Sequence, residues 1–246
     1  MARCYSDFWM TRLDGCRARQ RRATALLENQ KGAISVGTMM AALRDHGSHR
    51  AGGPAPVIGQ DPSQGWLTDK ICVHAGFGPT RPAQTTGSMV AHLSPERSTV
   101  WLTGTAAPCT GVFKPVYLAG GLSDLGPEPT GTYDPDSLWW AHERLHRTVI
   151  RRYEARLLAY VDERDALEAE FQSAAAELAE RVEELSTTEQ GEALAAFTAD
   201  CFERTAEAIE IWRERVLAIP VGRSWPRLFD LAWNGFNQRA GFDGGR

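Results

Sequence analysis

Apolar positions recur with two different periods along this chain, and the change of period divides it. From Phe8 to about His46 the spacing is helical: Leu26 and Leu27 follow an arginine-rich face, Lys31-Gly32 interrupts, and Val36, Met39, Met40 and Leu43 resume at three- and four-residue intervals. Gly47 to Gly65 is rich in Gly, Pro, Ser and Asp and predicts a loop. Four short runs follow, rich in β-branched and aromatic residues and bounded by Gly and Pro: Lys70–Ala75, Thr85–Leu93, Ser98–Thr103 and Val112–Leu118. They predict four strands, the second and third joined through Ser94–Arg97 as an antiparallel hairpin. Thr99, Trp101 and Thr103 alternate with Val100 and Leu102, so one face of the sheet is expected to meet a core.

Gly120 to Asp136 is a second turn-rich loop, and beyond it the period is helical almost to the end. Ser137 is placed to N-cap a helix through Leu185, whose stripe is Leu145, Val149, Tyr153, Leu157 and Val161, then Leu167, Phe171, Leu178, Val182 and Leu185. Ser186-Thr-Thr-Glu189 has the spacing of a capping box and opens a second helix. There Leu194, Phe197, Cys201, Ala208 and Trp212 form the facing stripe, and Pro220 ends it. Two long amphipathic helices joined by a short turn predict an antiparallel hairpin over about 137–217. Ser224-Trp-Pro226 then starts a terminal helix reaching about residue 238. The fold class expected is α+β, divided into an α+β unit over 1–119 and a helical tail over 137–246.

Composition narrows the function classes. The 246 residues are 43% hydrophobic and 24% charged, the balance of a globular chain. No stretch of about 18 apolar residues exists to span a bilayer. Phe8-Trp9-Met10 is too short for the core of a secretion signal, so a cytoplasmic location is expected. Five scattered cysteines, odd in number, agree with reduced thiols. The formal net charge of −4 provides no field to draw in nucleic acid or an anionic membrane, and neither is expected as a partner. The basic run Arg17–Arg22 reads as a solvated helix face.

Three features carry candidate chemistry. His142-Glu-Arg-Leu-His146 has the spacing of a helical zinc-peptidase motif, in which two histidines share a face and the glutamate activates a metal-bound water. Arg144 puts a permanent cation inside it, no later histidine supplies a third ligand, and Glu163 or Glu168 would have to serve. The bland reading, polar neighbours of the Leu145 and Val149 core stripe, is preferred, and no metal ligand is assigned. The strand region supplies the second feature: His74, Thr85, Thr86, Ser88 and Thr103, with Thr105, beside Gly87 and Gly104, are small polar groups next to bare backbone, as a substrate-binding edge needs. Cys72 and Cys109, next to strands, are read as buried structural thiols rather than nucleophiles.

Gly32–His46, Ile71-Cys-Val-His-Ala75, Gln84-Thr-Thr-Gly-Ser-Met-Val90, Leu102-Thr-Gly-Thr105 and Val112-Phe-Lys-Pro115, taken as an ordered set, resemble the secernin and cysteine-dipeptidase family of N-terminal nucleophile hydrolases. The resemblance covers about Gly32 to Leu118, and Ser137–His146 is similar to the start of the helical tail of bacterial members. It implies a four-layer αββα fold and hydrolysis of short peptides or related amides by a cysteine at the start of the mature chain, whose α-amino group takes the thiol proton. No cofactor is implied. Cys4 precedes a helix-like segment instead of opening a strand. The expectation is therefore that this chain is the C-terminal part of such an enzyme and carries no catalytic residue itself. Its partners would be a peptide or amide substrate, the upstream segment of the same protein and, through an unpaired sheet edge, further copies of itself. A non-catalytic scaffold whose helical hairpin binds a partner is the alternative, and a zinc peptidase the third reading.

Overall fold

Three of the four extended runs pair with one another in the computed structural model, which describes residues 15–47, 59–65, 67–95, 97–122, 124–222 and 227–243. The strands β1 (Met89–His92), β2 (Thr99–Leu102) and β3 (Lys114–Val116) form an antiparallel sheet in the order β1-β2-β3. Each is shorter than the apolar run that contains it. The hairpin register sets Val90 opposite Trp101 and His92 opposite Thr99, and β3 joins with Pro115 opposite Trp101. Val90 and Trp101 are buried together on one face. On the other, Met89 and the neighbouring Leu93 stay 62% and 77% exposed.

The first run, Lys70–Ala75, is a correction: it belongs to no ladder, and the chain bends over Lys70–Cys72. The backbone bonds of Cys72 and Val73 go to two separate residues, Asp45 and Thr85. Cys72 N–H donates to Asp45 O at 3.1 Å, the Val73 carbonyl accepts from Thr85 N–H at 2.9 Å, and Val73 N–H donates to the Thr85 hydroxyl at 3.0 Å. A side chain thus supplies the bond that a neighbouring strand would have supplied. β-branched residues favour a strand, but a strand needs a partner in register.

The helices are α1 (Cys16–Glu28), α2 (Val36–Leu43), α3 (Leu138–Val149), α4 (Tyr153–Leu157), α5 (Val161–Arg181), α6 (Thr187–Leu217) and α7 (Leu228–Ala240). The single helix expected from Ser137 to Leu185 is broken into α3, a 3₁₀ turn over Ile150–Arg152, α4 and α5. Arg152 and Tyr160 leave helical geometry at φ −151° and −149°. No Pro or Gly marks either break. The Arg156 guanidinium, itself buried, donates to Thr148 O at 2.6 Å, a carbonyl beside the first break, and to Ile219 O beyond α6. Ser137 occupies the N-cap position of α3, but its hydroxyl makes no cap bond and is buried without a hydrogen-bond partner.

The capping box at α6 forms as the spacing predicts, with Ser186 Oγ accepting from Glu189 N–H and the Glu189 carboxylate accepting from Ser186 N–H. Helices α5 and α6 run antiparallel: Glu163 takes Trp212 Nε1–H at 3.0 Å near one end, Arg204 pairs with Glu170 at 2.8 Å, and Leu178 and Val182 meet Leu194 near the turn. The main apolar core draws on both halves of the chain, joining Met40, Trp101 and Phe113 to Leu145, Phe171 and Trp212. The expected helical content of residues 8–14, the loop over 48–58 and the start at 224–226 lie outside the described residues.

Candidate functional site

Four buried side chains from three separate segments point their donor atoms at one spot. His46 follows α2, Cys72 and His74 lie two apart on the unpaired Lys70–Ala75 segment, and Cys109 sits in the turn between β2 and β3. They are 3%, 1%, 3% and 3% exposed, and their donor atoms all lie within 4.8 Å of one another. His74 Nε2 is the hub, 3.1 Å from His46 Nε2, 3.5 Å from Cys72 Sγ and 3.3 Å from Cys109 Sγ. Such a donor set could hold a thiophilic cation.

Each segment is fixed by bonds away from the hub. Asp45 holds the end of α2 by taking the Arg22 guanidinium at 3.0 and 2.7 Å and Gly47 N–H at 2.9 Å, while its own carbonyl takes Cys72 N–H. The turn bearing Cys109 opens at Ala107, which adopts φ 49°, and four consecutive carbonyls of it are claimed by side chains. Arg44 donates to Pro108 O and Gly111 O at 2.8 and 3.0 Å, Arg164 to Cys109 O, and the Tyr160 hydroxyl to Thr110 O at 3.2 Å. Glu168 on α5 closes this clamp, accepting from Arg44 and from Phe113 N–H at 2.6 Å. The break before α5 therefore has a use, because it presents Tyr160 and Arg164 to the turn.

Behind the hub runs a relay. His74 Nδ1 meets His146 Nε2 at 3.2 Å, His146 Nδ1 meets Glu143 Oε2 at 3.1 Å, and Glu143 Oε1 takes Arg147 Nε–H at 2.8 Å. Arg147 in turn lies over Trp140 and Trp233, whose own indole N–H donates to Ala75 O at 3.0 Å. Burial pushes the Glu143 carboxyl up, but His146 and Arg147 outweigh it and hold it at about 2. Burial drives His74 down to about 4 against the pull of Cys109, and drives His142 down to about 3, helped by His146 and Lys114. The two thiols diverge. Burial and its bond with Cys109 push Cys72 up, whereas the Cys72 S–H, His74 and His46 overcome burial at Cys109 and pull it down.

His74, named from the sequence as a substrate-binding candidate, is the hub itself. The hydroxyls of Thr85 and Thr103 are engaged with main chain: Thr85 Oγ1 takes Val73 N–H, and Thr103 Oγ1 takes Ser88 N–H at 2.9 Å while donating to Thr105 O at 3.0 Å. Ser88 is half-buried, and Thr86 is exposed with its carbonyl accepting from Trp139 Nε1–H at 3.1 Å. The two histidines of the H-E-x-x-H run turn to different partners: His146 to His74 and Glu143, and His142 to the Thr110 hydroxyl at 3.2 Å. Neither Glu163 nor Glu168 joins them, since each pairs with arginine. Sequence reading missed the convergence of His46 and Cys109 on Cys72 and His74; its one local trace is Cys72-Val-His74, two ligand-type residues two apart.

The chain matches no family model, no curated protein and no solved structure.

Proposed function

We propose that this chain is the C-terminal portion of a cysteine-type amide hydrolase of the secernin class, acting on short peptides, with its sheet forming part of an αββα scaffold. The observation that supports the reading is convergence. The runs that carry the resemblance meet in space: Val73 exchanges bonds with Thr85, Ala107 N–H donates to Thr85 O at 2.8 Å, Ser88 is tied to Thr103 where the β1–β2 hairpin ends, and the Lys114 ammonium donates to Thr103 O at 2.7 Å.

Amide hydrolysis needs an accessible nucleophile, a proton acceptor and donors for the oxyanion. Cys72, Cys109 and Cys201 are buried and Cys16 is half-buried at the start of α1; the reading assigns the nucleophile to a segment outside residues 15–243. The exposed Thr86, the open backbone at Gly87 and the half-buried Ser88 form the part offered to substrate, where nothing lies within 4 Å of an added Cβ at Gly87.

The test is an assay of released amino acids over a dipeptide panel. Alone, the chain should leave dipeptides intact. Co-expressed with the polypeptide encoded immediately upstream, it should hydrolyse them, and replacing that segment's first cysteine by serine should abolish turnover. Hydrolysis by the chain alone would overturn the reading. So would a stable pair without turnover, which is the behaviour of a scaffold.

A further inference from the structure

The cluster around His74 Nε2 has an independent meaning. We propose that His46, Cys72, His74 and Cys109 form a closed, structural zinc site, ligated through Nε2 of both imidazoles and through both thiolates.

Distance is the first argument. With Zn–N of about 2.0–2.1 Å and Zn–S of about 2.3 Å, the edges of a zinc tetrahedron are about 3.3 Å between nitrogens and about 3.6 Å between nitrogen and sulfur. The three edges meeting at His74 Nε2 are 3.1, 3.5 and 3.3 Å, within a few tenths of those values.

Hydrogen bonding is the second argument, and it fixes both tautomers. His46 Nδ1 lies 3.0 Å from the carbonyl of Gln60, which only accepts, so Nδ1 carries a proton and, in the neutral ring that a metal takes, Nε2 is bare. His146 Nδ1 faces the Glu143 carboxylate; with that ring neutral its Nε2 accepts from His74 Nδ1–H, and His74 Nε2 is then bare as well. With both rings neutral, two imidazole lone pairs face each other at 3.1 Å with two sulfur atoms beside them. Four electron-pair donors without a proton assigned between the nitrogens make an arrangement that a cation satisfies. The outer bonds of the two histidines are the support that metal-ligating imidazoles use to hold ring orientation and raise basicity.

Charge is the third. A divalent ion with two thiolates and two neutral imidazoles sums to zero, which suits a site where no ligand is more than 3% exposed. Four protein ligands leave no open position, as in structural sites rather than catalytic ones. Binding transfers both thiol protons to solvent, forms two Zn–S and two Zn–N bonds, and involves no change of oxidation state.

The position gives the site its role. Among the described residues, 59–88 carry no regular element longer than the 3₁₀ turn Gly78–Thr80, yet they are packed against α2, the Cys109 turn and α7. An ion bound to His46, Cys72, His74 and Cys109 would cross-link all three segments and supply the order that a strand ladder does not, because binding energy at such a site becomes folding energy.

The full chain, purified without chelator, should contain about one zinc per molecule by elemental analysis. Cobalt replacing it should show the intense visible bands of a tetrahedral ion and a thiolate charge-transfer band. Cys72→Ser and Cys109→Ser should each weaken binding at least about a hundredfold, whereas Cys201→Ser, a buried cysteine outside the cluster, should not. As a ligand variant can fail to fold for other reasons, the wild-type chain is also stripped with chelator: its melting temperature should fall and return on adding zinc, with about two protons released per ion bound. A wild-type chain that takes up no zinc, binds cobalt with an octahedral spectrum, or melts identically with and without metal would overturn the proposal. None of these measurements depends on peptidase activity, so failure of the hydrolase reading leaves the zinc result standing, and the reverse.

Discussion

Replacing Glu168 by alanine tests how the Cys109 turn is held. The carboxylate sits on α5 with a side chain 5% exposed, and it accepts from both ends of the Arg44 guanidinium and from Phe113 N–H at 2.6 Å. Arg44 is itself only 14% exposed and also carries the carbonyls of Pro108 and Gly111. The substitution therefore leaves a buried cation without its anion and a buried N–H without an acceptor. Removing one partner of a buried pair costs about 3–5 kcal/mol, and an orphaned buried donor about 1–3 kcal/mol. Because one carboxylate serves both, the terms overlap, and the expected loss is about 4–6 kcal/mol. With a urea slope of about 2–3 kcal/mol/M, the unfolding midpoint should fall by about 2 M when followed by circular dichroism in zinc-saturated buffer. Glu168→Gln, which keeps acceptors but not the charge, should fall between the two proteins. A Glu168→Ala midpoint within about 0.4 M of wild type, under about 1 kcal/mol, would show that the turn is held by something other than this clamp.

Three further outcomes follow from the same contacts. Burial lowers the Lys114 ammonium from 10.5 to about 7, so between those pH values the unfolded chain binds more protons than the folded one and stability should rise with pH, by up to about 4–5 kcal/mol; in Lys114→Met that component of the urea midpoint's pH slope should vanish, and an unchanged slope would refute it. Glu143→Gln removes the anion that orients His146 and, through it, His74, and should weaken zinc binding about 10–100-fold in a chelator competition, whereas unaltered affinity would show the relay to be idle. At Gly120 an added Cβ would lie 2.7 Å from Ala195 N in α6, so Gly120→Ala should cost about 1–3 kcal/mol in thermal or urea unfolding, and a neutral result would mean that the loop yields without cost.

Periodicity made the helices legible because each buries a stripe that its own sequence writes. Val36–Leu43, Val161–Arg181 and Thr187–Leu217 form where the apolar spacing predicts, and the Ser186–Glu189 box closes as its spacing requires. The breaks at Ile150–Arg152 and Leu158–Tyr160 were not legible. No local residue makes them; they follow from Arg156 reaching to Thr148 O and Ile219 O and from Tyr160 and Arg164 reaching to a turn some fifty positions earlier. Lys70–Ala75 shows the same division, since side-chain shape favours a strand while ladder membership depends on which chain lies alongside.

The candidate site belongs wholly to the second category. Residue types alone placed His74 near chemistry and read Cys72 and Cys109 as inert thiols, a fair reading of cysteines 37 positions apart with no paired spacing. What local sequence determined were the elements with internal periods, the capping box and the turn-rich breaks, because those depend on neighbours within a few residues. Tertiary structure decided that His46, Cys72, His74 and Cys109 share one buried point and that His146 and Glu143 stand behind it. Long-range packing sets those distances, and no interval along the chain encodes them.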